Sequence, residues 1–131
     1  MERRISFFAL FILGFTLLST QCDEDAVMTQ DEDKEMLLSL KQDIEALANT
    51  SVCNESTECK YIPLGSKPCG GPWSYLVYST SIDTETLETM VANYNQKEAE
   101  YNTKYGIVSD CALVNPPSEI VCGNNSCVAI Y

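Results

Sequence analysis

The sequence predicts an α+β domain: two helices on one face of a small antiparallel sheet, with three disulfides. Three observations predict it. Apolar residues recur at helical spacing in two stretches, 30–48 and the run between Asp83 and Gly106. Short β-rich runs bounded by turn residues lie between and after them. Six cysteines follow an N-terminal segment built for export. Helices and antiparallel strands in this order favour helices layered on one side of a sheet.

The first helix is expected from about 30 to 48. Thr29 can cap it, with Glu32 as the reciprocal member of a capping box. Asp31, Glu32 and Asp33 then occupy the first turn, where the helix dipole favours negative charge. Met36, Leu37, Leu40, Ile44 and Leu47 form one apolar stripe, and Asn49 is a natural stop. The second helix starts at an Asp83 cap, with Ile82 stapled to Leu87, and ends at Gly106 in a left-handed cap. Its stripe runs Leu87, Met90, Val91, Tyr94, Tyr101, Tyr105. Tyrosine at the C-terminal end reads as a partly wet packing face, because the ring buries well while the hydroxyl reaches water.

Strands are expected at 59–64, where Pro63 marks a sheet edge, and at 74–80, the most β-rich run in the chain. A terminal hairpin is expected at 119–122 and 127–131, turning through Gly123-Asn124-Asn125-Ser126.

Residues 1–21 have the make-up of a secretion signal. Arg3 and Arg4 precede an almost wholly apolar run over 5–18, and Ser19-Thr20-Gln21 break it. The run is shorter than the roughly 20 residues of a membrane-spanning helix. Leu18-Ser19-Thr20-Gln21-Cys22 resembles a bacterial lipobox, with Gln21 where a small residue is usual. The resemblance implies a lipid on Cys22 and anchorage to a membrane through it. Cysteine parity agrees: of seven cysteines, removing Cys22 leaves Cys53, Cys59, Cys69, Cys111, Cys122 and Cys127, an even set for disulfides. An ordinary signal peptide on a secreted chain with one leftover thiol is the alternative. Residues 22–33 then form an acidic tether, six of the twelve being Asp or Glu, and 34–131 the folded domain. Asp23-Glu24-Asp25 resembles an acidic sorting signal for the outer cell surface. In other bacteria, Asp after the lipid cysteine resembles an inner-membrane retention signal. The expected address is the cell envelope, with the outer membrane or cell surface favoured.

Six cysteines allow 15 pairings. Local closure of Cys53 with Cys59 and of Cys122 with Cys127 would leave Cys69 for Cys111. A cross-linked alternative joins Cys59 to the terminal hairpin. Zinc is disfavoured, because the spacings are wrong and the chain contains no histidine. No metal and no cofactor is expected.

Of 19 acids and eight basic residues, Glu2, Arg3 and Arg4 precede Cys22, leaving 18 acids against six lysines, a net charge of −12. Such a chain repels nucleic acid and could attract a cationic protein partner, although acidity also simply keeps a secreted protein soluble, which is the plainer reading. Without histidine there are no His-assisted nucleophiles, and no carboxylate pair sits in an apolar context that would raise its pKa. The chain therefore reads as non-catalytic.

One segment stands out: Gly65-Ser66-Lys67-Pro68-Cys69-Gly70-Gly71-Pro72-Trp73-Ser74-Tyr75, followed by Tyr78-Ser79. With Ser109-Asp110-Cys111, Pro116-Pro117 and the final Cys-x4-Cys, it resembles a family of small, exported, cysteine-rich bacterial lipoproteins of unknown function, over residues 53–127. The resemblance implies a fold type and no mechanism. Lys67, Gly70, Gly71, Trp73 and Tyr75 make up a candidate binding loop, since a rigid aromatic loop is what recognition needs. A structural corner has the same requirements and is the plainer reading. Lys67 beside a disulfide also has the look of an inhibitor loop for a trypsin-like protease, although Pro68 follows it. An inhibitor of a protease or of lysozyme is thus the alternative to an envelope-binding lipoprotein.

Overall fold

A computed structural model describes residues 28–131. The signal segment 1–21, Cys22 and the acidic run 23–25 lie outside them. Helix α1 spans Gln30–Asn49 and helix α2 spans Thr84–Tyr105. Strands β1 (Cys59–Leu64) and β2 (Ser74–Ser79) form one antiparallel ribbon, and β3 (Glu119–Gly123) and β4 (Ser126–Ile130) form another.

Each helix begins as its cap requires. The Thr29 hydroxyl accepts from the Glu32 N–H, and the Glu32 carboxylate accepts from the Thr29 N–H at 2.7 Å, completing the capping box. The two bonds from Thr29 hold the Glu32 carboxyl below the usual carboxylate range. Asp83 caps α2 by accepting from the Thr86 N–H, and Gly106 closes it at φ 59°. Leu37, Ile44 and Ala48 of α1 meet Leu87, Val91 and Tyr94 of α2 in the core, with Leu40, Leu47, Ile82, Met90 and Tyr101 at its margin. Tyr101 and Tyr105 at the end of the stripe are half-buried, as a wet packing face requires, whereas Tyr94 belongs to the core. The Tyr94 ring is buried while its hydroxyl donates to Glu98 at 3.1 Å.

The first ribbon supplies the other wall. Lys60, Ile62 and Leu64 pair with Tyr78, Leu76 and Ser74 and share one face. Ile62, Leu64, Leu76 and Tyr78 of that face join the helical core. Both helices therefore lie on one side of this ribbon. Its other face carries Cys59, Tyr61, Pro63, Tyr75, Val77 and Ser79. The four strands make two ribbons, and no backbone ladder joins β1–β2 to β3–β4. The terminal hairpin is tighter than the sequence suggested, because pairing extends to Gly123 and Ser126. The turn shrinks to Asn124-Asn125, at φ 52° and 61°. Two left-handed residues are what a two-residue hairpin turn needs, and asparagine tolerates them.

Disulfides join the ribbons where hydrogen bonds do not. The pairs are Cys53–Cys122, Cys59–Cys127 and Cys69–Cys111, with Cα separations of 5.8, 5.6 and 5.5 Å. Local closure of Cys53 with Cys59 and of Cys122 with Cys127 is thereby overturned, whereas Cys69–Cys111 and the link from Cys59 to the hairpin stand. The reason lies in the strand register. Cys122 and Cys127 are directly opposed across β3–β4, so their side chains leave the ribbon on the same face. There they reach Cys53 and Cys59 separately. The backbone follows, with the Cys53 N–H donating to the Asn125 carbonyl at 3.0 Å.

The start of α1 is clamped to the end of α2. Lys104 Nζ lies 2.7 Å from Asp33 Oδ2 and 3.2 Å from the Met28 carbonyl. The Tyr105 hydroxyl reaches the same two oxygens at 2.8 and 3.2 Å. Residues 30–33, assigned to the tether from composition, thus belong to a docked helix. The Lys104 ammonium and the Tyr105 hydroxyl hold the Asp33 carboxyl below its ordinary value, and Asp33 in turn raises Lys104.

Two outcomes follow. Once Cys53–Cys122 is closed, Cys59–Cys127 adds only a ring of about a dozen residues, worth roughly 3 kcal/mol, whereas the first closure is worth about 4. Replacing either pair by alanine should leave a folded protein with a lower urea midpoint, and replacing both should abolish the cooperative transition. Second, Asp33 stabilises the fold fully above the ordinary aspartate pKa and ceases to do so as the pH falls through its lowered native value. The difference in urea midpoint between the native chain and Asp33→Asn should therefore hold from about pH 5 to pH 8 and vanish on further acidification.

Candidate functional site

The loop between β1 and β2 contains the residues singled out from sequence. Its backbone closes on itself: the Lys67 N–H donates to the Gly71 carbonyl and the Gly70 N–H to the Lys67 carbonyl, both at 2.8 Å. Gly70 and Gly71 sit at φ 92° and 84°, a region that favours glycine. Nothing lies within 4 Å of where their side chains would start, so backbone freedom alone accounts for both. Cys69 pins the loop to Cys111. The Trp73 N–H then returns to the Leu64 carbonyl at 3.1 Å, re-entering the ribbon.

Lys67 points inward. Only 7% of it is exposed, and its ammonium donates to the Ala112 carbonyl at 2.7 Å. Asp110 Oδ1 is 3.5 Å away and the Trp73 ring centre 5.1 Å. A buried ammonium needs such partners, and the cation–π contact adds one that does not compete for hydrogen bonds. Asp110 is mostly exposed, so solvent weakens its share. The side chain that suggested a protease-binding loop thus faces the interior.

The loop also rests on a polar face of α2 that sequence reasoning missed. Asn95 Oδ1 accepts from the Gly65 N–H at 2.6 Å while its amide donates to the Pro63 carbonyl at 3.1 Å. The Glu98 carboxylate accepts from the Ser66 N–H, and the Asn102 amide donates to the Ser66 carbonyl at 2.7 Å. Residues 95, 98 and 102 follow the helical repeat and align on one face. The spacing was visible, but in Asn-Tyr-Asn-Gln-Lys-Glu-Ala-Glu-Tyr-Asn polar residues occur on every side and hide the functional row.

Tyr75 falls on the ribbon's outer side with Tyr61, whereas Trp73 precedes β2 and sits beside Gly65 and Glu98 of α2, under the Lys67 ammonium. Trp73 is 41% exposed and Tyr61, also missed from sequence, 42%. Tyr75 meets Tyr61 edge to face at 5.6 Å. Tyr61 and Tyr75 thus form a partly exposed aromatic pair on the ribbon's outer face. A cleft of about 350 Å³ opens between the loop and the last turns of α2, lined by Ser66, Lys67, Pro68, Asn102, Thr103 and Ile107 among others.

Among the described residues, the shifted phenols are structural. Burial pushes Tyr78 up to about 12, helped by its hydrogen bond to Glu88, and burial with Glu98 raises Tyr94 as well. Both shifts disfavour the phenolate that a general base would need. The sulfurs of Cys53, Cys59 and Cys127 lie within 4.8 Å of one another, but each is already in a disulfide and offers no thiolate to a metal.

Comparison with protein-family models, curated proteins and solved structures returns no match for this chain.

Gly65 is the hinge of this arrangement. It sits at φ 90°, and an added Cβ would lie 2.5 Å from Trp73 Cδ1 and 3.0 Å from Glu98 Oε2. Gly70 has nearly the same φ and open space. Gly65→Ala should therefore cost backbone strain plus overpacking, roughly 2–5 kcal/mol, and Gly70→Ala only the strain, about 1–2 kcal/mol. Urea unfolding of the two variants side by side measures the difference.

Proposed function

We propose that this chain is a non-catalytic exported lipoprotein, acylated at Cys22, whose disulfide-held domain binds a partner in the cell envelope. The observation that carries this reading is the pairing of all six cysteines after Cys22. Disulfides at this density belong to oxidising compartments, and the remaining seventh cysteine is the one that follows the signal-like segment. Among the described residues no helix is long and apolar enough to cross a membrane. Attachment through Cys22 is consistent with that.

The binding role rests on the aromatic pair Tyr61 and Tyr75. Aromatic side chains are enriched where proteins meet partners, and this pair is held by two hydrogen-bonded strands. A cationic protein is the partner class that the net charge of −12 favours. Charge also favours a cationic hydrolase such as lysozyme, whereas the burial of Lys67 gives a trypsin-like protease nothing to hold.

Mass spectrometry of the mature protein tests the attachment. The expected N-terminus is residue 22 carrying a diacylglyceryl mass, and an unmodified terminus elsewhere ends the lipoprotein reading. For binding, Tyr61→Ser is the informative variant, because Tyr61 is exposed and its loss leaves the core intact. Pull-downs from the native envelope should recover a partner with the native domain and lose it with Tyr61→Ser. Identical recovery by both removes the aromatic surface from the account.

A further inference from the structure

One end of the molecule gathers four features. It holds the N-terminus of α1, the C-terminus of α2, the loop after β1 and the connection that leaves α2 at Gly106. Lys104 and Tyr105 bind the Met28 carbonyl there, so the chain enters the domain at this end. The loop is held to it by Asn102 on Ser66, by Cys69–Cys111 and by Lys67 on Ala112. The opposite end carries Val52 and the Asn124-Asn125 turn, joined through the Cys53 N–H.

The entry end also presents apolar side chains to solvent. Val108 is 89% exposed and Leu113 90%, on the stretch that Cys111 pins in place. Met28 and Trp73, each 41% exposed, accompany them. Single exposed aliphatics are ordinary on protein surfaces. Two of them almost wholly exposed, on a cross-linked loop at the end where the chain arrives, are less so.

We infer that this end is a membrane-contacting face, with Val108 and Leu113 entering the lipid interface beneath the domain. The inference rests on acylation at Cys22. Six peptide units separate Cys22 from Met28, and fully extended they span at most ~20 Å. The entry end is thus confined near the headgroups, whereas the far end is not. Confinement matters more than affinity here. Two aliphatic side chains would not hold a soluble domain on a bilayer, but a lipid anchor makes their contact intramolecular at a high effective concentration. Tryptophan suits the water–lipid boundary, and Trp73 lies beside this face through Lys67. The acidic residues nearby argue for a shallow contact with zwitterionic lipid rather than attraction to an anionic surface.

The test uses the full chain expressed with its signal, after its acyl mass has been verified, in phosphatidylcholine–phosphatidylethanolamine vesicles with brominated acyl chains. Leu113→Trp places a fluorophore on the proposed face, and Val52→Trp places one at the far end. Brominated lipid should quench the added emission of Leu113→Trp several-fold more than that of Val52→Trp. Adding Val108→Asp to Leu113→Trp should return its quenching to the far-end level. The unacylated Cys22→Ser chain should show no quenching at either site. Equal quenching at both ends, or none in a verified acylated chain that sediments with the vesicles, overturns the inference and leaves the lipoprotein reading standing. A chain without the acyl mass overturns both.

Discussion

The two ribbons share no ladder of backbone hydrogen bonds, so the cross-links between them carry what a continuous sheet would otherwise carry. Cys53–Cys122 and Cys59–Cys127 run side by side between the segment after α1 and the terminal hairpin. Among the described residues the buried core cluster numbers eight, which is small, and a small core leaves a domain marginal. Closing long loops covalently reduces the entropy of the unfolded chain and shifts that balance. The placement of β3 and β4 against the first ribbon follows from which sulfurs meet.

The loop between β1 and β2 depends on a different device. Its backbone groups cannot be satisfied by strands, because the chain turns away from the ribbon at Gly65. Asn95, Glu98 and Asn102 supply the missing partners from α2. Lys67 then fills the space behind Trp73 and ties the connection after α2 at Ala112. A buried network of this kind is stabilising when every member is matched, and no buried side-chain polar atom among the described residues lacks a partner. The inner groups fix the turn, and the turn hands the chain back to β2, where the strand pairing sets Tyr75 against Tyr61.

Much of this was legible in the sequence because it is local. Thr29 with Glu32, Asp83, Gly106 and the two apolar stripes announce both helices through interactions within a few residues. Ser74 to Ser79 announces its strand by composition. The pairing of cysteines was not legible, since it depends on how Cys122 and Cys127 project from a hairpin whose partner segment lies about 70 residues away. The same holds for Lys67: its sequence neighbours suggest an exposed inhibitor loop, and only the arrival of Ala112 and Trp73 turns it inward. The division of the strands into two ribbons was hidden for the same reason. Tyr61 went unnoticed because one tyrosine in a short edge strand carries no signal until Tyr75 is placed against it.

Among the described residues the three disulfides lie between Cys53 and Cys127, so of the two helices there it is α1 that no covalent ring encloses. It is held by its stripe of aliphatic contacts and, at its first turn, by Lys104 and Tyr105. Tension applied from the N-terminal side acts on that turn, and no covalent link shields α1 from it, whereas the remainder keeps its cross-links when α1 opens locally.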